Sequence, residues 1–152
     1  MIESAIARLF LGELLGEGVS RRVFAYRPAP DDFVVKVHTK GSLESHDYQN
    51  IAEWMMWEEA NAALRQWLAP CSAISTCGMA LLQRRCEPCP THLVPKKVPK
   101  VLGDLHLANF GILDGLVVVK DYGRNYALRF AANARAMRKL DLGEYTPLST
   151  RS

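Results

Sequence analysis

Three groups of residues, far apart along the chain, have the types and spacing for phosphate chemistry. The first is Gly16-Glu17-Gly18, set between Leu14-Leu15 and Val23-Phe24-Ala25-Tyr26. Glycines in such a turn let backbone N–H groups approach a phosphate that a side chain would hold away. The second is Lys36 within Phe33-Val34-Val35-Lys36-Val37. A lysine in an apolar strand buries its stem and needs an anion for its amine. That anion is either a ligand phosphate or one of Glu53, Glu58 and Glu59 on the following helix. The third group is Asp104, Asn109 and Asp121. Asp104 and Asn109 stand five residues apart in Gly103-Asp104-Leu105-His106-Leu107-Ala108-Asn109, and Asp121 follows twelve residues later in Lys120-Asp121-Tyr122-Gly123. Two carboxylates and an amide oxygen gathered together are suitable ligands for a magnesium nucleotide. A Gly-x-Gly turn or an aspartate beside a glycine is ordinary turn chemistry by itself. The three groups together point to phosphoryl transfer.

These residues need elements to hold them. Residues 2–10 have apolar positions at Ile2, Ile6, Leu9 and Phe10, which predicts a short amphipathic helix. Two strands joined by the glycine turn come next, and a third follows the turn at Pro28, Pro30, Asp31 and Asp32. Residues 41–47 form a polar loop ending in Asp47, a helix-capping type. Residues 48–68 are expected to form one long helix with Ile51, Trp54, Met55, Leu64 and Leu68 on its apolar face. Pro70 ends it. Two short strands are predicted at 73–76 and 79–83, with a turn at Cys77-Gly78. Residues 87–100 hold four prolines and are expected to connect. Asp114-Gly115, between Phe110–Leu113 and residues 116–120, is a strong hairpin signal. Residues 125–140 are predicted to be a final helix, with Tyr126, Phe130, Ala134 and Met137 as its packing stripe.

The 152 residues bound the answer to one compact domain or two small lobes, and 49% hydrophobic residues suffice for a core. No apolar run approaches the roughly 20 residues that span a bilayer. The N-terminus lacks the features of a signal peptide, so a cytoplasmic protein is expected, in host cytoplasm if phage-encoded. The net charge of +3 comes from scattered basic residues, which favours anionic ligands and argues against nucleic acid. Four cysteines are too few for a disulfide scaffold. Cys86 and Cys89, with His92 nearby, have knuckle spacing for zinc, but Cys71 and Cys77 do not complete the pattern, and buried free thiols are the preferred reading. Trp54, Trp57 and Trp67 exceed what one small sheet needs, which raises a homo-oligomeric contact.

In order and spacing, these motifs resemble those of the protein-kinase-like superfamily: the glycine-rich loop, the third-strand lysine, the helix glutamate, the catalytic loop and the Asp-Phe-Gly motif. The span 16–123 carries all five. Gly103-Asp104-Leu105-His106 is similar to the loop of aminoglycoside phosphotransferases and choline kinases. Asp121-Tyr122-Gly123 is similar to that of small bacterial and phage kinase-like proteins.

The resemblance implies an α+β fold: a five-stranded antiparallel N-lobe sheet with one long helix over residues 1–88, then a strongly reduced C-lobe over 89–152. It implies that Gly16 and Gly18 cover the phosphates of ATP and that Lys36, paired to Glu53, contacts them. Asp104 becomes the general base, and Asn109 and Asp121 hold Mg2+. The hinge toward adenine lies in residues 82–87, with Gln83, Arg84 and Arg85 as nucleotide-binding residues. Arg21 replaces the third loop glycine, where it either crowds or contacts the phosphates, and His106 takes the place of a catalytic-loop lysine.

The preferred expectation is a minimal ATP- and Mg2+-dependent kinase acting on a protein hydroxyl. The alternative is a kinase-like protein, weak or inactive as a transferase, that binds and regulates a partner protein. A small-molecule kinase ranks third.

Overall fold

A computed structural model describes residues 7–39, 48–103, 105–123, 134–140 and 142. Five antiparallel strands form the main sheet: β1 (Leu11–Glu17), β2 (Arg21–Tyr26), β3 (Phe33–His38), β4 (Cys71–Ile74) and β5 (Ala80–Arg84), in the order β1-β2-β3-β5-β4. The α+β class with a five-stranded antiparallel sheet is therefore observed. Residues 7–10 are helical. Among the described residues no helix is long and apolar enough to cross a membrane.

The register of β3 puts Lys36 opposite Val23 on one side and Leu81 on the other. Paired residues share a face, and so do residues two apart along a strand. Arg21 and Val23 of β2 therefore lie on the same face as Val34 and Lys36 of β3. A turn with Gly78 at φ +76° joins β4 to β5. This left-handed conformation suits glycine.

Helix α1 (Gln49–Glu59) packs on this sheet, with Ala52, Glu53 and Met56 buried. It is shorter than the predicted helix over 48–68, because Ala60 turns to extended backbone at ψ 135°. Asn61 then caps a separate turn, α2 (Ala62–Arg65), its side-chain oxygen accepting from Leu64 N at 2.9 Å. An asparagine that bonds nearby backbone offers the chain an alternative to continuing the helix. Arg65 folds back across the break to donate to the Trp57 carbonyl at 3.0 Å and lies over the Trp57 ring. Trp54, Trp57 and Trp67 are all partly buried against the core.

A smaller sheet combines β6 (Glu87–Pro88), β8 (Phe110–Leu113) and β9 (Leu116–Val119) in the order β6-β8-β9. Asp114 at φ +50° and Gly115 at φ +81° make the tight hairpin that their sequence predicts. The stretch expected to be only a connector contributes β6 and also β7 (Lys97–Pro99). Its partner is β10 (Met137–Lys139), antiparallel. The predicted final helix over 125–140 is thus wrong at its C-terminal end; residues 124–133 lie outside the described residues. Pairing overrides the helix-favouring composition here. Val98, fully buried, anchors β7 in the core, and the Arg138 guanidinium donates to the Leu102 carbonyl at 2.8 Å.

One apolar cluster unites the two sheets: Met56, Leu64 and Leu81 meet Val98, Leu102, Leu105, Phe110, Val119 and Tyr122. Backbone bonds reinforce it, from Ala69 N to the Val119 carbonyl (2.9 Å) and from Val119 N to the Trp67 carbonyl (2.7 Å). The segments on either side of the intervening cleft are therefore held at fixed separation.

Candidate functional site

Strand alternation turns Lys36 away from solvent and under the glycine turn, and α1 brings Glu53 to meet it. The Lys36 amine donates to Glu53 Oε1 at 2.5 Å and to the Lys120 carbonyl at 2.6 Å. Lys36 is 4% exposed and Glu53 0%, so each charge depends on its partner. Glu58 and Glu59, the other two sequence candidates, are exposed near the end of α1.

Glu53 serves three donors. Its Oε1 also accepts from the Gln83 amide at 2.9 Å, and its Oε2 accepts from Arg21 Nη1 at 2.8 Å. Arg21 continues the chain of charges, donating from Nη1 to Asn50 Oδ1 (3.0 Å) and from Nη2 to Asp121 Oδ1 (2.8 Å). Burial penalises the Arg21 charge, yet Glu53 and Asp121 outweigh that penalty and raise its pKa above the ordinary arginine value. Asn50 fastens the base of α1 to the sheet, its amide nitrogen within 3.0 Å of the Lys36, Gly78 and Met79 carbonyls. Ser20 donates to Gln49 Oε1 at 2.7 Å at the same end of the helix.

The opposite side comes from the short 3-10 turn Leu107–Asn109 and the residues after β9. Asn109 holds Asp121 through its backbone: Nδ2 donates to the Asp121 carbonyl and Oδ1 accepts from Asp121 N, both at 2.7 Å. Gly123 allows the close approach of α1, since a Cβ there would stand 2.7 Å from the Gln49 carbonyl oxygen. Tyr122, fully buried, donates to the Ala69 carbonyl at 2.7 Å and lies 3.2 Å from the Cys71 sulfur. Asp104 lies outside the described residues; Leu102 and Leu105, which flank it, are both fully buried.

A cleft of about 540 Å3 separates the two sides. Its wall includes Gly16, Gly18, Arg21, Val34, Lys36, Gln83, Arg84, Arg85, His106, Asn109, Lys120 and Asp121. The structure thus brings Gly16, Gly18, Lys36, Asn109 and Asp121 to one cavity, with Glu53 behind it, while Glu17 turns outward to pair with Arg22. A Cβ at Gly16 would meet nothing within 4 Å, and at Gly18 only the Arg21 carbonyl at 3.7 Å. The protein's own packing does not require glycine at either position. Both glycines line the cleft.

Five cations, Arg21, Lys36, Arg84, Arg85 and Lys120, line the cavity against two carboxylates, Glu87 and Asp121. Lys120 has no hydrogen bond from its amine among the described residues; burial, opposed by Cys86 and reinforced by Lys36, holds its pKa below the ordinary lysine range. Arg84 Nε is buried without a hydrogen-bond partner, and its nearest carboxylate is Asp114 at 3.8 Å. Gln83 directs its amide inward to Glu53, while Arg85 donates to the Pro30 carbonyl. An unpartnered, partly desolvated cation beside an orphaned donor favours an anionic occupant with acceptor atoms.

For a magnesium ion, the Asp121 carboxylate and Asn109 Oδ1, which already accepts from Asp121 N, offer hard oxygens of the right kind for an ion that takes its remaining ligands from water and phosphates. Asp121 already carries Arg21. Two positive groups on one carboxylate repel by about 4 kcal/mol per pair of unit charges at 4 Å and an effective dielectric of 20. The donors fit Mg2+ in type, and Arg21 weakens the site.

The cysteines do not gather. Cys71 lies against Tyr122, Cys77 against Ser75, Cys86 against the Arg84 carbonyl and Cys89 against that of Pro90. Among the described residues no group of three or more His, Cys, Asp or Glu is placed to hold a metal ion, so the zinc reading of Cys86, Cys89 and His92 finds no ligand set.

Sequence reasoning missed Asn50 and Lys120 as parts of the site and left Arg21 ambiguous. Arg21 was accessible through strand alternation, being two residues before Val23, the partner of Lys36. Asn50 was accessible through helix periodicity, three residues before Glu53. Compared with family models and with curated proteins, the chain matches none.

Proposed function

We propose that the chain is a minimal kinase-like phosphotransferase, dependent on ATP and Mg2+ and acting on a protein hydroxyl. The observation that carries this reading is the Lys36–Glu53 ion pair at the back of a cationic cleft, facing Asp121 and Asn109. Buried ion pairs cost desolvation, and a core of this size has no need of one for stability alone. Lys120 and Arg84 Nε, both without a hydrogen-bond partner among the described residues, supply the further attraction for a polyphosphate and a base.

In this reading Gly16 and Gly18 admit the phosphates to the backbone, and Lys36 orients them. Asp104 accepts the proton of the acceptor hydroxyl as its oxygen bonds to the γ-phosphorus. The bond from that phosphorus to the β–γ bridging oxygen breaks, and ADP leaves. Asn109 and Asp121 are the residues that would hold Mg2+, which when bound neutralises charge on the phosphates. Positioning and electrostatic stabilisation supply most of the catalysis, with the base adding about 10²–10⁴-fold.

Transfer from labelled ATP, to the chain itself or to a lysate, tests the proposal. Wild type is expected to exceed Asp104→Ala by about a hundredfold or more; equal signals overturn the catalytic assignment. The second reading, a partner-binding protein with weak transferase activity, is favoured by the Arg21–Asp121 pair, because a carboxylate held by a guanidinium is a poorer metal ligand. Nucleotide binding without transfer in wild type would select it.

A further inference from the structure

Arg21 reaches two carboxylates at once. One guanidinium nitrogen is bonded to Glu53 and Asn50, the other to Asp121 at 2.8 Å. Arg21 is 5% exposed, whereas the Asp121 side chain is 49% exposed, so the guanidinium approaches Asp121 from inside the protein. The Asp121 carboxylate, which lines the cleft, therefore has a resident counter-ion. Lys120, Arg84 and Arg85 add positive charge to the same cleft.

On the nucleotide reading above, we infer that the cleft binds a nucleoside polyphosphate without a divalent ion, Arg21 supplying beside Asp121 the positive charge that a metal otherwise brings. A charge built into the fold is always present and needs no loading, and Asp121 cannot repel the phosphates at full strength while Arg21 holds it. A divalent ion then serves the transfer step rather than occupancy of the cleft. Arg21 is a positioning residue in this account, and binding, not turnover, is its readout.

Calorimetric titration and thermal shift of the full chain with ATP, at constant ionic strength, in EDTA and in excess Mg2+, test the inference. Wild-type affinity in EDTA is expected within about threefold of that in Mg2+. Arg21→Met should lose about tenfold or more in EDTA and recover most of it with Mg2+, whereas Arg21→Lys keeps the wild-type pattern. Because Arg21 is buried, Asp121→Asn provides a second variant that leaves the guanidinium on Glu53 and Asn50; it should bind ATP in EDTA at least as tightly as wild type. Wild-type binding seen only with Mg2+ overturns the inference and leaves the nucleotide reading standing. A folded Arg21→Met with undiminished affinity in EDTA, or a folded Asp121→Asn with weakened affinity there, also overturns it. Absence of ATP binding under both conditions overturns the inference and the nucleotide reading together.

Discussion

Behind the cleft, Lys36, Arg21, Glu53, Asn50 and Gln83 are each 5% exposed or less, and their charged or amide groups bond one another at 3.0 Å or closer. Along its floor and rim, among the described residues, the Lys120 amine has no such partner and Arg84 Nε has none, and the ion pair of Arg84 with Asp114 is stretched to 3.8 Å. The same types of cation meet opposite treatment in two regions of one cleft. The rear network is complete without a ligand, so it is part of the fold and pre-organises the cavity. The floor carries a desolvation cost that the protein's own groups leave uncompensated, as expected where a ligand supplies the missing acceptor. Substitutions of Glu53 and Asn50, which lie behind the cleft without lining it, should therefore act on stability, those on its floor on binding, and those of Arg21 and Lys36, which belong to both, on each.

The largest break in that comparison comes from Glu53. Glu53→Ala strands two buried cations and should cost about 3–5 kcal/mol in urea unfolding. A cost near zero would show that the rear network is not structural. Asn50→Ala comes next, at about 2–3 kcal/mol, because it leaves three carbonyls and one guanidinium nitrogen short of a partner.

The Cys71–Tyr122 contact beside the network gives a pH test. Burial pushes the Cys71 thiol from 9.0 up to about 12, with Glu53 acting in the same direction, and burial also raises the Tyr122 phenol well above 10.0. Both groups are neutral in the fold and ionise more readily once unfolded. Their contribution is full below pH 9 and is lost as pH rises toward the folded values, at up to about 1.4 kcal/mol per pH unit for each group. Unfolding measured between pH 8 and 11 should show this decline, and Cys71→Ala should make it shallower; an unchanged slope would count against the buried thiol. The smallest effect on stability is expected on the floor. Lys120→Met should change stability by about 0.5 kcal/mol or less, toward greater stability, since it removes a partly desolvated charge. On the proposed nucleotide reading, its affinity for ATP should nevertheless fall about tenfold. A Lys120→Met chain that is markedly destabilised would erase the distinction between the two sides.

The nearly continuous, β-branched apolar run around Lys36 was enough to expect a strand with a lysine whose stem is buried, and Asp114-Gly115 was enough to expect its hairpin, because a left-handed two-residue turn needs those residue types locally. The long helix and the final helix failed for the complementary reason. Asn61 bonds the backbone of its own turn and breaks the first, while β10 is a strand only because β7, nearly 40 residues earlier, offers it a partner. The choice of Glu53 over Glu58 and Glu59 needed a resemblance to decide it, since all three lie on one short stretch.

What the amino-acid order determined alone was local: the glycine turn, the apolar strand around Lys36, and the carboxylates and amide of the two polar loops. That is because turn chemistry and side-chain alternation act over a few residues. Only the tertiary structure decided that Arg21 lies between Glu53 and Asp121 while the Lys120 amine has no hydrogen bond among the described residues. Those pairings join residues up to a hundred positions apart, and their geometry depends on how β2, α1 and the segment after β9 pack around a shared core.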